Sequence, residues 1–215
     1  MTPKFFSPVL AAVLVAMLAG TLGGCVPLVV GGAAMSAMVA VDRRTSGAQL
    51  EDEGIELRGA SRLRDAFTDR AHINITSYNR QVLLTGEVPN DGAKQQAEQV
   101  ISRVENVRAI VNELVPAGNS TLIQRSSDVL ISGKVKASLV DAKDLFAGAY
   151  KVVTERGTVY LMGRVTQREA DRGTAIARQI DGVQRVVRIF ELIGDDEMRR
   201  IQLMVSPTAP TSTRP

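Results

Sequence analysis

A chain of 215 residues that is 45% hydrophobic and 23% charged, with a net charge of only +3, is too apolar and too evenly charged to stay disordered. One Cys and one His remove disulfide frameworks, thiolate zinc sites and most His-based triads, and without Trp there are few rings to stack on bases. The pI near 9.2 therefore points away from nucleic acid and towards phospholipid headgroups as the more natural anionic partner.

The chain begins with one basic residue, Lys4, and an apolar run, Phe5–Leu18, that is shorter than the roughly 20 residues a membrane span needs. Leu22-Gly23-Gly24-Cys25 follows. An aliphatic residue, two small ones and then Cys resembles the lipobox of bacterial lipoproteins. The resemblance implies a signal over residues 1–24 that is cut before Cys25. It also implies diacylglycerol on the Cys25 thiol and an acyl chain such as palmitate on the new amine, with no other cofactor. A thiolate is the side-chain nucleophile suited to such an alkylation. Val26 rather than Asp after Cys25 implies sorting to the inner leaflet of the outer membrane, with the domains facing the periplasm. Residues 25–46 carry the lipidated Cys and a second apolar stretch rich in Gly and Ala. A loose tether, a segment lying on the bilayer and a packed collar are the alternatives there, with the membrane-proximal tether favoured.

Asp42–Gly47 reads as a turn into the first folded unit, residues 47–116. Glu51–Thr68 has a partial apolar stripe of helical spacing, interrupted by Gly54 and Gly59. Ile73 and Ile75 alternate before Tyr78-Asn79-Arg80 and Val82–Gly86, a β-hairpin signal, with His72 placed on the solvent side beside Asn74. Asn90 is a cap for a helix reaching about Val104, and Val107–Val115 closes the unit as a strand. Residues 117–125 read as a linker by composition.

The second unit, residues 126–193, repeats the order. Ser127–Leu145 is a helix, Tyr150–Glu155 and Thr158–Arg164 a hairpin, Thr166–Ile180 a helix and Val183–Leu192 a strand. Thr166 and Glu169 have the spacing of a capping box. Val82, Leu84, Gly86 and Val88 recur 77 residues later as Val159, Leu161, Gly163 and Val165. The expected architecture is α+β: two tandem α-β-β-α-β units, each a three-stranded mixed sheet packed by two helices. Gly86 and Gly163 suggest a close backbone approach to a helix or a sharp exit towards one. Residues 194–215 are a C-terminal extension whose Pro- and Thr-rich end is expected to be disordered.

The segments Ile73–Tyr78 with Val82–Gly86, and Val152–Glu155 with Val159–Ala170, resemble the BON (bacterial OsmY and nodulation) domain. With the lipobox and Asp42–Gln49, the order resembles the dual-BON outer-membrane lipoproteins over nearly all of residues 22–193. That resemblance implies two tandem BON domains in a non-enzymatic protein. It implies that the second domain binds anionic phospholipids such as phosphatidylglycerol through the helix Thr166–Ile180, and that the protein supports envelope integrity at division sites. The residues so implicated are Arg168, Arg172, Ala175, Arg178 and Gln179. Val129 and Leu130 stand where an aromatic anchor beside that surface would be expected.

Read from pattern alone, the same arginines are rather a solvated face with Asp171 as local partner. A rival reading is an adaptor that docks an envelope or division protein, with Tyr160 and Met162 as an outward apolar patch. No pair of carboxylates converges in sequence, and no metal ligand set is assigned. Residues 47–116 sum to −3 and residues 126–193 to +3, which fits either complementarity between the domains or one domain facing an anionic partner.

Overall fold

The computed structural model describes residues 42–205. Cys25, the lipobox and the apolar stretch up to Val41 lie outside the described residues, as does the tail from Ser206.

The first repeat runs α1 (Ser46–Phe67), β1 (His72–Tyr78), β2 (Gln81–Val88), α2 (Asp91–Ser102), β3 (Ala109–Asn112) and β4 (Val115–Pro116). The second runs α3 (Leu122–Asp141), β5 (Tyr150–Glu155), β6 (Thr158–Val165), α4 (Gln167–Arg178) and β7 (Arg185–Leu192). In each, an antiparallel hairpin is extended by a strand parallel to its second member, giving mixed sheets of order β1-β2-β3 and β5-β6-β7. A fifth helix, α5 (Asp195–Val205), follows and occupies the start of the segment read as an extension.

Local chemistry accounts for the boundaries. Asn90 and Thr166 cap α2 and α4 through their side chains, and Thr166 forms the full reciprocal box with Glu169. α1 continues through Gly59 because a Cβ there would stand 2.3 Å from Ile75 Cδ1, so the missing side chain lets the helix close on its sheet. The third strand of the first repeat is split. Leu114 turns fully into the core between β3 and β4, and both pieces still pair with β2. α3 starts at Leu122, inside the stretch read as linker, because Thr121 and Gln124 form a second capping box.

Both glycines of the repeated strand signature abut a carbonyl oxygen across the hairpin rather than a helix. A Cβ at Gly86 would lie 2.0 Å from His72 O, and one at Gly163 would lie 2.3 Å from Ala149 O. Another device recurs in both units. Asp52, buried on α1, accepts from the amides of Asn79 and Arg80 at 2.7 Å each. Asp128, buried on α3, accepts from Arg156 and Gly157 at 2.8 Å each. All four turn residues have positive φ, so a carboxylate from the first helix of each repeat pins a turn whose backbone is otherwise costly.

Each repeat has its own helix-facing core. The opposite faces of the two sheets meet, and Tyr78 and Leu83 of the first repeat pack with Tyr160, Met162 and Ile189 of the second. Tyr160 and Met162 are thus buried between the repeats, and the outward apolar patch of the adaptor reading does not exist. The rim of this contact pairs acids of the first repeat with bases of the second, Glu56 with Lys151 at 2.7 Å and Glu113 with Arg185 at 2.8 Å, and the buried Glu87 is reached by Arg156 at 3.3 Å. The opposite charges of the two halves therefore meet each other.

Candidate functional site

With the sheets back to back, the helices form the outer layers, and α3 and α4 lie side by side on the free face of the second repeat. The inner side of α3 is set by Ile131, Val135 and Leu139, which are buried on the sheet, and by Asp128 at its turn. At 100° per residue, Leu122, Val129, Leu130 and Val140 fall on the opposite side, with Ile123 at its edge. These five side chains are between 47% and 83% exposed. Ser126, Gly133 and Ala137 fill the rest of that strip, and its acidic neighbour is Asp141, at the C-terminal end of α3 on the edge that Ile123 occupies. Lys136 and Arg125 flank one side and Lys134 the other. An outward apolar strip with basic flanks on a water-facing helix marks a contact surface.

The sequence-derived face of α4 also points outward. Arg168, Arg172, Ala175, Arg178 and Gln179 are all exposed, while Ala170, Gly173 and Ala177 pack inward. Gly173 is required there, since a Cβ would meet the Tyr150 ring at 2.8 Å. The arginines are partly committed. Arg172 lies 3.3 Å from Asp144 Oδ2, Arg168 lies 3.6 Å from the same oxygen and donates to Asp144 O at 3.1 Å, and Asp171 is engaged by Arg188 at 3.1 Å. Exposed pairs of this kind contribute little and remain available to another anion.

The segment read as a simple turn, Asp42–Gly47, does more. Arg43 is 5% exposed and grips Glu169 with both terminal nitrogens at 2.8 and 2.7 Å. It also donates to Arg164 O at 2.9 Å and faces the Phe146 ring at 5.4 Å. Arg44 bridges Asp42 and Asp52 over the Tyr78 ring. Burial alone would raise the Glu169 carboxyl, but Arg43 and the Thr166 amide outweigh it and hold the group below the usual carboxylate range. The residues that lead into α1 are thereby clasped to the second repeat. Sequence reasoning missed this because Glu169 is 126 residues from Arg43.

His72 does not face free solvent. It sits opposite Glu87 in the β1–β2 register, its Nδ1 is 2.9 Å from Glu87 Oε2, and its side chain is 17% exposed. Sheet packing brings Glu155 of the second repeat beside them, so two buried carboxylates do converge. Burial raises the Glu155 carboxyl above its ordinary value. Glu87 is held below its own, because the Ser120 amide, His72 and Arg156 outweigh desolvation. One His and two carboxylates form a donor set that could hold a metal, and only the contact between the repeats assembles it.

Among the described residues no helix is long and apolar enough to cross a membrane. The BON domain model matches residues 51–117 and 127–193. The chain is 37% identical over 174 residues to the outer membrane lipoprotein DolP of Haemophilus influenzae, covering 80% of this chain and 90% of that one. It is 34% identical over 155 residues to the 21 kDa hemolysin of Actinobacillus pleuropneumoniae, covering 71% and 80%. Among solved structures, the C-terminal domain of the type III secretion protein CdsD of Chlamydia trachomatis is 13% identical with a TM-score of 0.28, covering 70% of this chain and 100% of that one. That likeness is too low to carry an argument. The chain belongs to the BON-domain family, as a dual BON-domain protein of the DolP type.

Proposed function

We propose that this protein is a non-enzymatic outer-membrane lipoprotein, anchored through Cys25 with its domains in the periplasm, whose second BON domain lies on anionic phospholipid and supports the integrity of the envelope. The observation that carries the reading is the outward strip of α3, Leu122, Ile123, Val129, Leu130 and Val140, between basic flanks and beside the arginines of α4. The apolar side chains enter the headgroup boundary. Arg168, Arg172 and Arg178, with Ala175 and Gln179 between them, meet the phosphates around it. The name of the Haemophilus relative supports the location and the anchor.

Each basic residue at an anionic surface is worth about 1 kcal/mol, so the three arginines together are worth roughly a hundredfold in binding. That is modest for a free protein and sufficient for one already tethered by acyl chains, because the tether raises its local concentration. The adaptor reading has lost its patch at Tyr160 and Met162, which are buried between the repeats.

The test is sedimentation of residues 25–215, expressed without the signal and with Cys25→Ser, with vesicles. Phosphatidylglycerol vesicles should retain it and phosphatidylcholine vesicles should not. Arg168→Glu/Arg172→Glu/Arg178→Glu and Ile123→Glu/Leu130→Glu should each lower retention at least tenfold, whereas Lys94→Glu/Arg103→Glu, on α2 and at its C-terminal cap, should not. Equal retention by both vesicle types, or by both variants, would hand the surface to a protein partner.

A further inference from the structure

We propose that His72, Glu87 and Glu155 form a binding site for a divalent transition-metal cation of the zinc class, which ties the first repeat to the second. One donor atom from each residue lies within 4.8 Å of those of the other two. A single tetrahedral cation at about 2.0–2.2 Å from each donor sets them roughly 3.4 Å apart, so they must draw together by at most about 1.4 Å, within reach of side-chain torsions. His72 and Glu87 are held as cross-strand partners by the β1–β2 register. Glu155 is the last residue of β5, and Asn74 fixes its carboxylate by donating to Oε2 at 2.9 Å.

The charge of the place is unusual without a cation. Glu87 is fully buried and Glu155 is 7% exposed, so two carboxylates share one largely buried corner, with Asp128 near enough to act on Glu155. Arg156 reaches Glu87 alone, at 3.3 Å. Burying like charges together is costly unless a cation is held between them. One imidazole nitrogen with two carboxylate oxygens suits zinc or manganese, whereas magnesium and calcium prefer oxygen-only shells.

A cavity of about 600 Å³ is lined by His72, Asn74 and Glu155. It provides an entry path and room for water in the remaining coordination positions. With donors from both repeats, such an ion stabilises the folded pair in proportion to its occupancy.

The experiment uses residues 25–215, expressed without the signal and with Cys25→Ser, stripped with EDTA and titrated with zinc chloride by calorimetry, with thermal unfolding followed in parallel. The expected result is one saturable zinc site and a rise in Tm of roughly 5–10 °C at a hundredfold excess over Kd. Magnesium at the same concentration should produce neither. Glu155→Gln keeps the shape and removes the charge. It should weaken zinc binding at least tenfold while leaving the metal-free Tm unchanged or higher, which shows that the fold is intact. Asp181→Asn, an exposed carboxylate elsewhere in the same repeat, should change nothing. The absence of saturable zinc binding by the parent chain, or undiminished binding by Glu155→Gln, would overturn the proposal.

Discussion

At the scale of single residues, the fold depends on a few groups whose removal has named consequences. Asp52 neutralises Arg44 and holds two left-handed turn amides. Asp52→Ala should therefore cost about 3–5 kcal/mol, the range for breaking a buried charged network, and urea unfolding measures it. Gly86 combines a φ of +111° with a carbonyl where a Cβ would stand, so Gly86→Ala should cost upwards of about 2 kcal/mol in the same assay. Asp52 and Glu169 are both held below their ordinary carboxyl values, despite burial, by their donors and their arginines. A lowered native value contributes stability above the unfolded pKa of about 4 and loses it as pH falls through the native one. Unfolding free energy should thus decline below about pH 4.5, and Glu169→Gln should flatten part of that decline while lowering stability at neutral pH. A slope unchanged by Glu169→Gln would show that the pair does not carry it.

At the scale of elements, α4 was legible in the sequence and α3 only partly. Ala170, Gly173 and Ala177 pack inward on α4 while its arginines point outward, and Thr166 with Glu169 announces the start, so its exposed face could be assigned from spacing alone. α3 hides its first turn. Thr121 and Gln124 cap it, but they sit among Gly, Asn and Ser, and the exposed Leu122 and Ile123 break the core periodicity that a reader follows. Those misfit residues belong to the proposed contact surface. The hairpins were legible because alternation and turn residues are local signals. The cluster of His72, Glu87 and Glu155 was not, because neither strand spacing nor composition shows which sheet face a second domain will cover. Replacing Leu122 and Val129 by Ser should leave Tm within a few degrees, since these side chains are already exposed. A large loss would mean that they pack against something in the folded protein.

For the whole molecule, the two sheets share a buried layer and a rim of complementary ion pairs, and Arg43 crosses from the entrance of the first repeat to the second. Units of this size are marginal alone, so the pair should unfold in one cooperative transition by calorimetry, and two separated transitions would contradict the coupling. The same packing frees the helical layers for other contacts, and among the described residues α3 of the second repeat carries five large exposed apolar side chains where α1 of the first carries Leu50 and Leu57. Its role as the membrane-facing element is the central claim, and the chain permits a direct reading of it. Cys25 is the only cysteine, so a Cys25→Ser chain accepts a single new thiol for an environment-sensitive fluorophore. Labels at Leu130 on α3, Arg178 on α4 and Gln99 on α2 should be compared on adding phosphatidylglycerol vesicles. The Leu130 label should shift to the blue and resist an aqueous quencher, the Arg178 label should respond weakly, and the Gln99 label should stay as in buffer. A Leu130 label that remains as wet and as quenchable as the one at Gln99 would contradict the account.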